Sequence, residues 1–247
     1  MTDRAAPGLR PILPVLLPAL LAPPALALAV AIGGQAGLPI LATAAVYPLM
    51  AHLVLRGRVA AAVVAVLLWA LTLSASIIAL SALSPGSAAG LVFHGAAYRD
   101  EMFRYIREGY GRESDPALFV PQHLLHLAGF VVLSLISGGL LGILMGAILV
   151  GYMSYYVGAL VGAGGAPLTA WLLGWPPWAI LRMVAFVMLG VALSRPLLLA
   201  MSRRQASFGD WRSLYVAAAA LLLSDVVLKA LLAPAWAGLL RPCLGAP

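Results

Sequence analysis

Thiol chemistry is nearly absent from this 247-residue chain, whose one cysteine is Cys243, close to its end. That excludes an intramolecular disulfide, a CxxC redox pair and a Cys-rich metal centre. Charge is scarce as well: only 9% of residues are Asp, Glu, Lys or Arg, with mean hydropathy +1.03, too little to clothe a soluble globule of this length. Alternating apolar and polar residues are missing, which excludes a membrane β-barrel. The sequence pI of about 10.1 and net charge of +7 suggest nucleic acid at first. No soluble segment, however, carries a basic stripe with interleaved aromatics, so nucleic acid is excluded as a partner.

What remains is apolar: 63% hydrophobic residues, gathered into long runs between Pro, Gly and Arg clusters. A bilayer core about 30 Å thick needs roughly 20 helical residues per crossing. The sequence therefore predicts an all-α, polytopic transmembrane bundle forming one integral membrane domain over residues 1–247. Its lipid bilayer is the first implied partner. Seven crossings are expected near 12–32, 36–55, 59–83, 119–137, 139–161, 177–200 and 213–235. The stretch 118–162 is too long for one crossing and is divided at Ser137-Gly138-Gly139; six crossings with one re-entrant run is the alternative.

Basic residues collect in cytoplasmic loops. Arg4 and Arg10 precede the first run, Arg56 and Arg58 separate the second from the third, and Arg195, Arg203, Arg204 and Arg212 lie between the last two. With seven crossings these groups share one side, which predicts an inside N-terminus and an outside C-terminus in a bacterial inner membrane. The 84–118 loop, whose four arginines are offset by Asp100, Glu101, Glu108, Glu113 and Asp115, then lies outside, as does the uncharged 162–177 loop. The basic, Pro-rich start reads as a retained first helix rather than a signal peptide, because its apolar run is long, and Pro11, Pro14, Pro18, Pro23 and Pro24 are expected to make that helix irregular or kinked.

Inside the external loop, residues 91–110 read as an amphipathic helix. His94, Tyr98, Glu101, Tyr105 and Glu108 fall on one face, expected to turn toward the bundle mouth, and Phe103, Ile106 and Tyr110 on a neighbouring, membrane-immersed one. Five further ionisable residues occupy the outer half of the apolar runs. At about 1.5 Å per residue, His123 and His126 lie roughly 6 and 10 Å inside the fourth crossing, with Arg182 at a similar depth in the sixth. In the last crossing Lys229 lies about 6–9 Å and Asp225 about 12–15 Å from the outer side. Charges within a bilayer cost kilocalories and face partners or wet cavities. Asp225 and Lys229, four residues apart, are expected to neutralise one another.

Two chemistries fit these types. His123 and His126 share a helix face and bind a divalent metal such as zinc if His94 or Glu101 completes the set. Without metal, a His–Glu101 pair acts as base and orienting partner while Arg182 or Lys229 stabilises negative charge. Either suits a hydrolase or transferase acting on a lipid or exported polypeptide. The run HLLHLAGFVVLSL resembles the His-rich second helix of rhomboid proteases. No GxSG-type serine element follows it, and no histidine occurs after His126, so that family's serine–histidine pair is absent. The alternatives are a small-solute transporter and a noncatalytic assembly subunit. The latter would meet other membrane proteins through the Gly-rich faces Gly142/Gly146 and Gly158/Gly162.

Overall fold

The computed structural model describes residues 12–203 and 211–245, so the expectations that rest on Arg4, Arg10 and Arg204 lie outside the described residues. Among the described residues there are ten helices and no strand. Seven are long and apolar enough to span a membrane: α1 (Leu13–Ile32), α2 (Gly37–Leu55), α3 (Val59–Leu83), α6 (Pro116–Ser137), α7 (Leu140–Gly162), α9 (Pro177–Met201) and α10 (Arg212–Leu240). Three short ones sit between them: α4 (Pro85–Leu91), α5 (Gly95–Glu108) and α8 (Pro167–Leu173). A 3-10 turn at Arg241–Leu244 continues α10. The chain is a multi-pass helical membrane protein.

The connections follow from residue type. Gly33 and Gly34 take positive φ between α1 and α2, and Gly57 does so between α2 and α3. The doubtful division at 137–139 is a real helix end. Gly138 (φ 61°) and Gly139 (φ 89°) occupy the left-handed region that side chains avoid, so α6 stops and α7 starts within two residues. At Gly139 a Cβ would also come within 2.7 Å of the Ser194 Cβ, so the turn is held by packing as well as by torsion.

Packing explains one glycine of each pair, Gly142 and Gly158. A Cβ on Gly158 would lie 2.5 Å from the Ser81 Cβ, and one on Gly142 would lie 2.0 Å from the Ser134 Oγ. The close approach they permit is therefore made to α3 and α6 of the same chain. α7 is the centre of the bundle, with 56% of its most apolar window buried, against 17% for α6. One core joins α1, α2, α3, α7 and α9 around Met50, Trp69, Leu73, Ile77 and Val191. A second, at the end of the bundle that carries α5, gathers Met102, Tyr105, Ile106, Tyr156, Trp178, Ala237 and Cys243.

The expected 91–110 helix differs in register. It breaks at His94, which adopts φ 57° and precedes α5 instead of belonging to it. The face turned to the bundle carries Tyr98 and Tyr105 of the expected polar stripe together with Met102 and with Ile106, which was expected on the membrane-immersed face; Glu101 is half-buried and Glu108 exposed. Burying Met102 and Ile106 against α7 and α10 outweighs any gain from turning Glu101 and Glu108 inward, where their carboxylates would lose water. Tyr105 also donates its hydroxyl to the Ala233 carbonyl, tying α5 to α10.

Candidate functional site

α6 begins where its sequence allows it to. Asp115 is the N-cap: its Oδ1 accepts from the Ala117 N–H at 2.9 Å, its Oδ2 accepts from the Tyr110 hydroxyl at 2.6 Å, and Pro116 opens the helix. These two hydrogen bonds hold the Asp115 carboxyl below the usual carboxylate range, the tyrosine's being the larger influence. Two turns into α6, the His123 Nδ1 lies 2.7 Å from the Phe119 carbonyl oxygen. A carbonyl only accepts, so Nδ1 carries a proton and Nε2 is the free ring nitrogen. That Nε2 is buried, makes no hydrogen bond and lies 4.0 Å from the Asp225 Oδ2.

Asp225, 1% exposed, is gripped in bidentate fashion by Arg182 from α9: Nε donates to Oδ2 and an Nη to Oδ1, both at 2.8 Å. Lys229, equally buried, does not pair with Asp225. Its Nζ reaches out of α10 to the Glu113 Oε2 at 2.7 Å, 4.7 Å above the centroid of the Phe119 ring. The expected Asp225–Lys229 pair is thus replaced by two pairs that cross between chain segments. The fork of Arg182 matches both carboxylate oxygens of Asp225, a fit that an ammonium on the same helix does not offer. Two cations and two carboxylates balance to zero.

Of these groups Glu113, His123 and Arg182 border a cavity of about 130 Å³. At its charged end are Glu113, Gln122, His123, His126, Arg182 and Tyr98. The Tyr98 phenol is pushed well above its usual range, by burial first and the Glu113 carboxylate second, and donates to the Met153 Sδ at 3.2 Å. Farther in, the walls are Val66, Trp69, Ala70, Ile143, Phe186 and Val191, with Gly146 leaving open space.

The structure therefore brings His123, Arg182 and Asp225 together, sets His126 on the same cavity and Lys229 beside it, and leaves His94 and Glu101 apart. His94 is exposed and packs edge-on against Phe93, ring centroids 4.3 Å apart. Glu101 faces Arg112, 3.8 Å away. The physical cause is the break at His94 and the rotated face of α5. Among the described residues no three His, Cys, Asp or Glu side chains gather as a metal centre, and the combination of His123, His126, His94 and Glu101 is not assembled. Sequence reasoning missed Glu113, Trp69 and Trp175. Glu113 was one of five acids in a loop, and the one available sign was that buried Lys229 needed a carboxylate from elsewhere.

No family model, curated protein or solved structure matches the chain.

Proposed function

We propose that this is a membrane-embedded hydrolase or transferase acting on a lipid or an exported polypeptide at the outer half of a bacterial inner membrane, with its N-terminus inside and C-terminus outside. The observation that carries the reading is His123: its ring is fixed by Nδ1–H donation to Phe119, and its buried, unpartnered Nε2 borders a cavity shared with Arg182. Among the described residues the cavity lining includes no Ser, Thr or Cys, and the proposed attacking group is water or a substrate hydroxyl. His123 Nε2 takes the proton from that O–H as its oxygen bonds to the acyl or phosphoryl centre, then returns it to the departing group. Asp225, 4.0 Å away, stabilises the imidazolium in between, and holds the Arg182 guanidinium for the negative charge that develops. The apolar deep half of the cavity supports an amphiphilic substrate over passage of a small polar solute.

The test is His123→Gln and His126→Gln, singly, scored by membrane abundance and by the phenotype of a deletion strain. Loss of function at normal abundance with His123→Gln is expected. Retained function in both variants removes the enzyme reading and leaves a noncatalytic assembly subunit.

A further inference from the structure

Several buried polar groups have no partner, and three of them, the His123 Nε2 and two indole nitrogens, share the cavity just described. The indole N–H groups of Trp69, 2% exposed, and of Trp175 find no acceptor, although both side chains line the cavity wall. An indole nitrogen only donates, and a buried donor left unpaired is costly, so the ordinary expectation is that something absent from the polypeptide accepts from it. These two indoles mark a place for a molecule with oxygen acceptors, while the His123 Nε2, whose proton sits on Nδ1, is itself an acceptor and adds no call for another.

Charge restricts the molecule further. Arg182 and Lys229 are each already engaged by a carboxylate, and His123 and His126 are the other basic groups on or beside the cavity. The two cations and two carboxylates already balance, so a head with a permanent negative charge would add an uncompensated anion beside the Asp225 carboxylate, 1% exposed. A cationic head would compete with Arg182 or Lys229 for their carboxylates. An uncharged head disturbs neither pair.

Shape supplies the rest. The α9 wall runs from Arg182 to Val191, a descent of about 13 Å from the charged end into apolar surroundings. The volume, about 130 Å³, suits a group of roughly ring size, as in the engineered apolar cavity of about 150 Å³ that binds benzene. A longer tail must lie outside. The rim provides the way: Gln122 is exposed, His126, Gly146 and Leu149 are half-buried, and a Cβ on Gly146 would meet no atom within 4 Å. α6, which forms one side of that rim, is the least enclosed span.

Resting on the reading of this cavity as a substrate site, we infer that it takes the uncharged head of a lipid bearing at least two hydrogen-bond-accepting oxygens, admitted sideways from the bilayer between α6 and α7. Acylglycerols present that chemistry together with an acyl centre for the proposed reaction; isoprenoid quinones present the same acceptors without one and would be held as a ligand rather than turned over; phospholipids carry a charged head.

The experiment measures the thermal midpoint of the purified full-length chain in a non-ionic detergent, with dioctanoylglycerol, a decyl-tailed benzoquinone or dioctanoyl phosphatidylglycerol added at equal mole fraction of detergent. One of the two uncharged probes should raise the midpoint in a saturable way, thereby naming the source, while phosphatidylglycerol leaves it in place. Trp69→Phe and Trp175→Phe, which delete an N–H and keep a ring, should each weaken that probe roughly tenfold. Gly146→Leu, which fills the rim, should abolish its effect, and Gly146→Ala serves as the folded control. Phosphatidylglycerol binding as tightly as either uncharged probe overturns the uncharged head while leaving the catalytic reading intact. No shift with either uncharged probe, or a shift untouched by both Trp variants, overturns the inference. The His123→Gln phenotype judges the catalytic reading separately.

Discussion

Replacing Asp225 by Leu removes the carboxylate that both nitrogens of the Arg182 fork contact at 2.8 Å and leaves a guanidinium without its counterion. Breaking a buried pair from one side typically costs about 3–5 kcal/mol, whereas exchanging both members for apolar side chains is often neutral or stabilising. Arg182→Met with Asp225→Leu should therefore recover most of the loss seen in either single variant. Glu113→Gln with Lys229→Met should behave likewise, because Lys229 contacts Glu113 at 2.7 Å. The combination of Asp225→Leu with Lys229→Met decides between pairings. If those two residues neutralised one another along α10, their joint removal would be benign. In the observed arrangement it leaves Arg182 and Glu113 each without its own partner; facing the same cavity they offset one another only in part, so the loss is not relieved and stays at or above the roughly 3–5 kcal/mol of a single break. The assay is membrane abundance of a fluorescent fusion, combined with the thermal midpoint in detergent for variants that accumulate. Recovery in the 225/229 double variant and none in the 182/225 double variant would refute the pairing. The Arg182/Asp225 double variant should be folded yet inactive, since both groups serve the proposed chemistry.

Tyr105→Phe removes the hydroxyl that α5 donates to the Ala233 carbonyl and should cost about 1 kcal/mol, seen as faster hydrogen exchange over 95–108 with the long helices unaffected. Asp115 has a depressed folded carboxyl pKa. Its contribution is therefore complete above the ordinary carboxylate value and fades as pH falls through the lower, folded one; Asp115→Asn should flatten that acid limb in a pH series of thermal midpoints. Reporter fusions at residues 57 and 205 should read cytoplasmic and one at residue 113 external; an external signal at 205 would overturn the assignment of the last two crossings.

Class and crossings were legible in the chain because both depend on local quantities. A run of about 20 apolar residues must span or be buried wherever it sits, and a Gly-Gly pair ends a helix through its own torsions, as Gly138 and Gly139 do. Depth along a helix is local too, which is why His123, Arg182 and Asp225 were expected together in the outer half of the membrane. Pairing is not local. The i, i+4 spacing of Asp225 and Lys229 pointed to each other, but each found a better partner on another segment, and that choice depends on how α9 and the 109–115 turn dock against α10. The amphipathic pattern of 91–110 likewise announced a helix without saying which face would be covered. Packing against Tyr156 and Ala237 chose the Met102 and Ile106 side, and so took Glu101 and His94 away from the histidines of α6. The cavity belongs wholly to the tertiary structure. Its walls come from six separate segments, and whether a glycine such as Gly146 opens space or, like Gly158, admits a neighbouring helix depends on what stands opposite it.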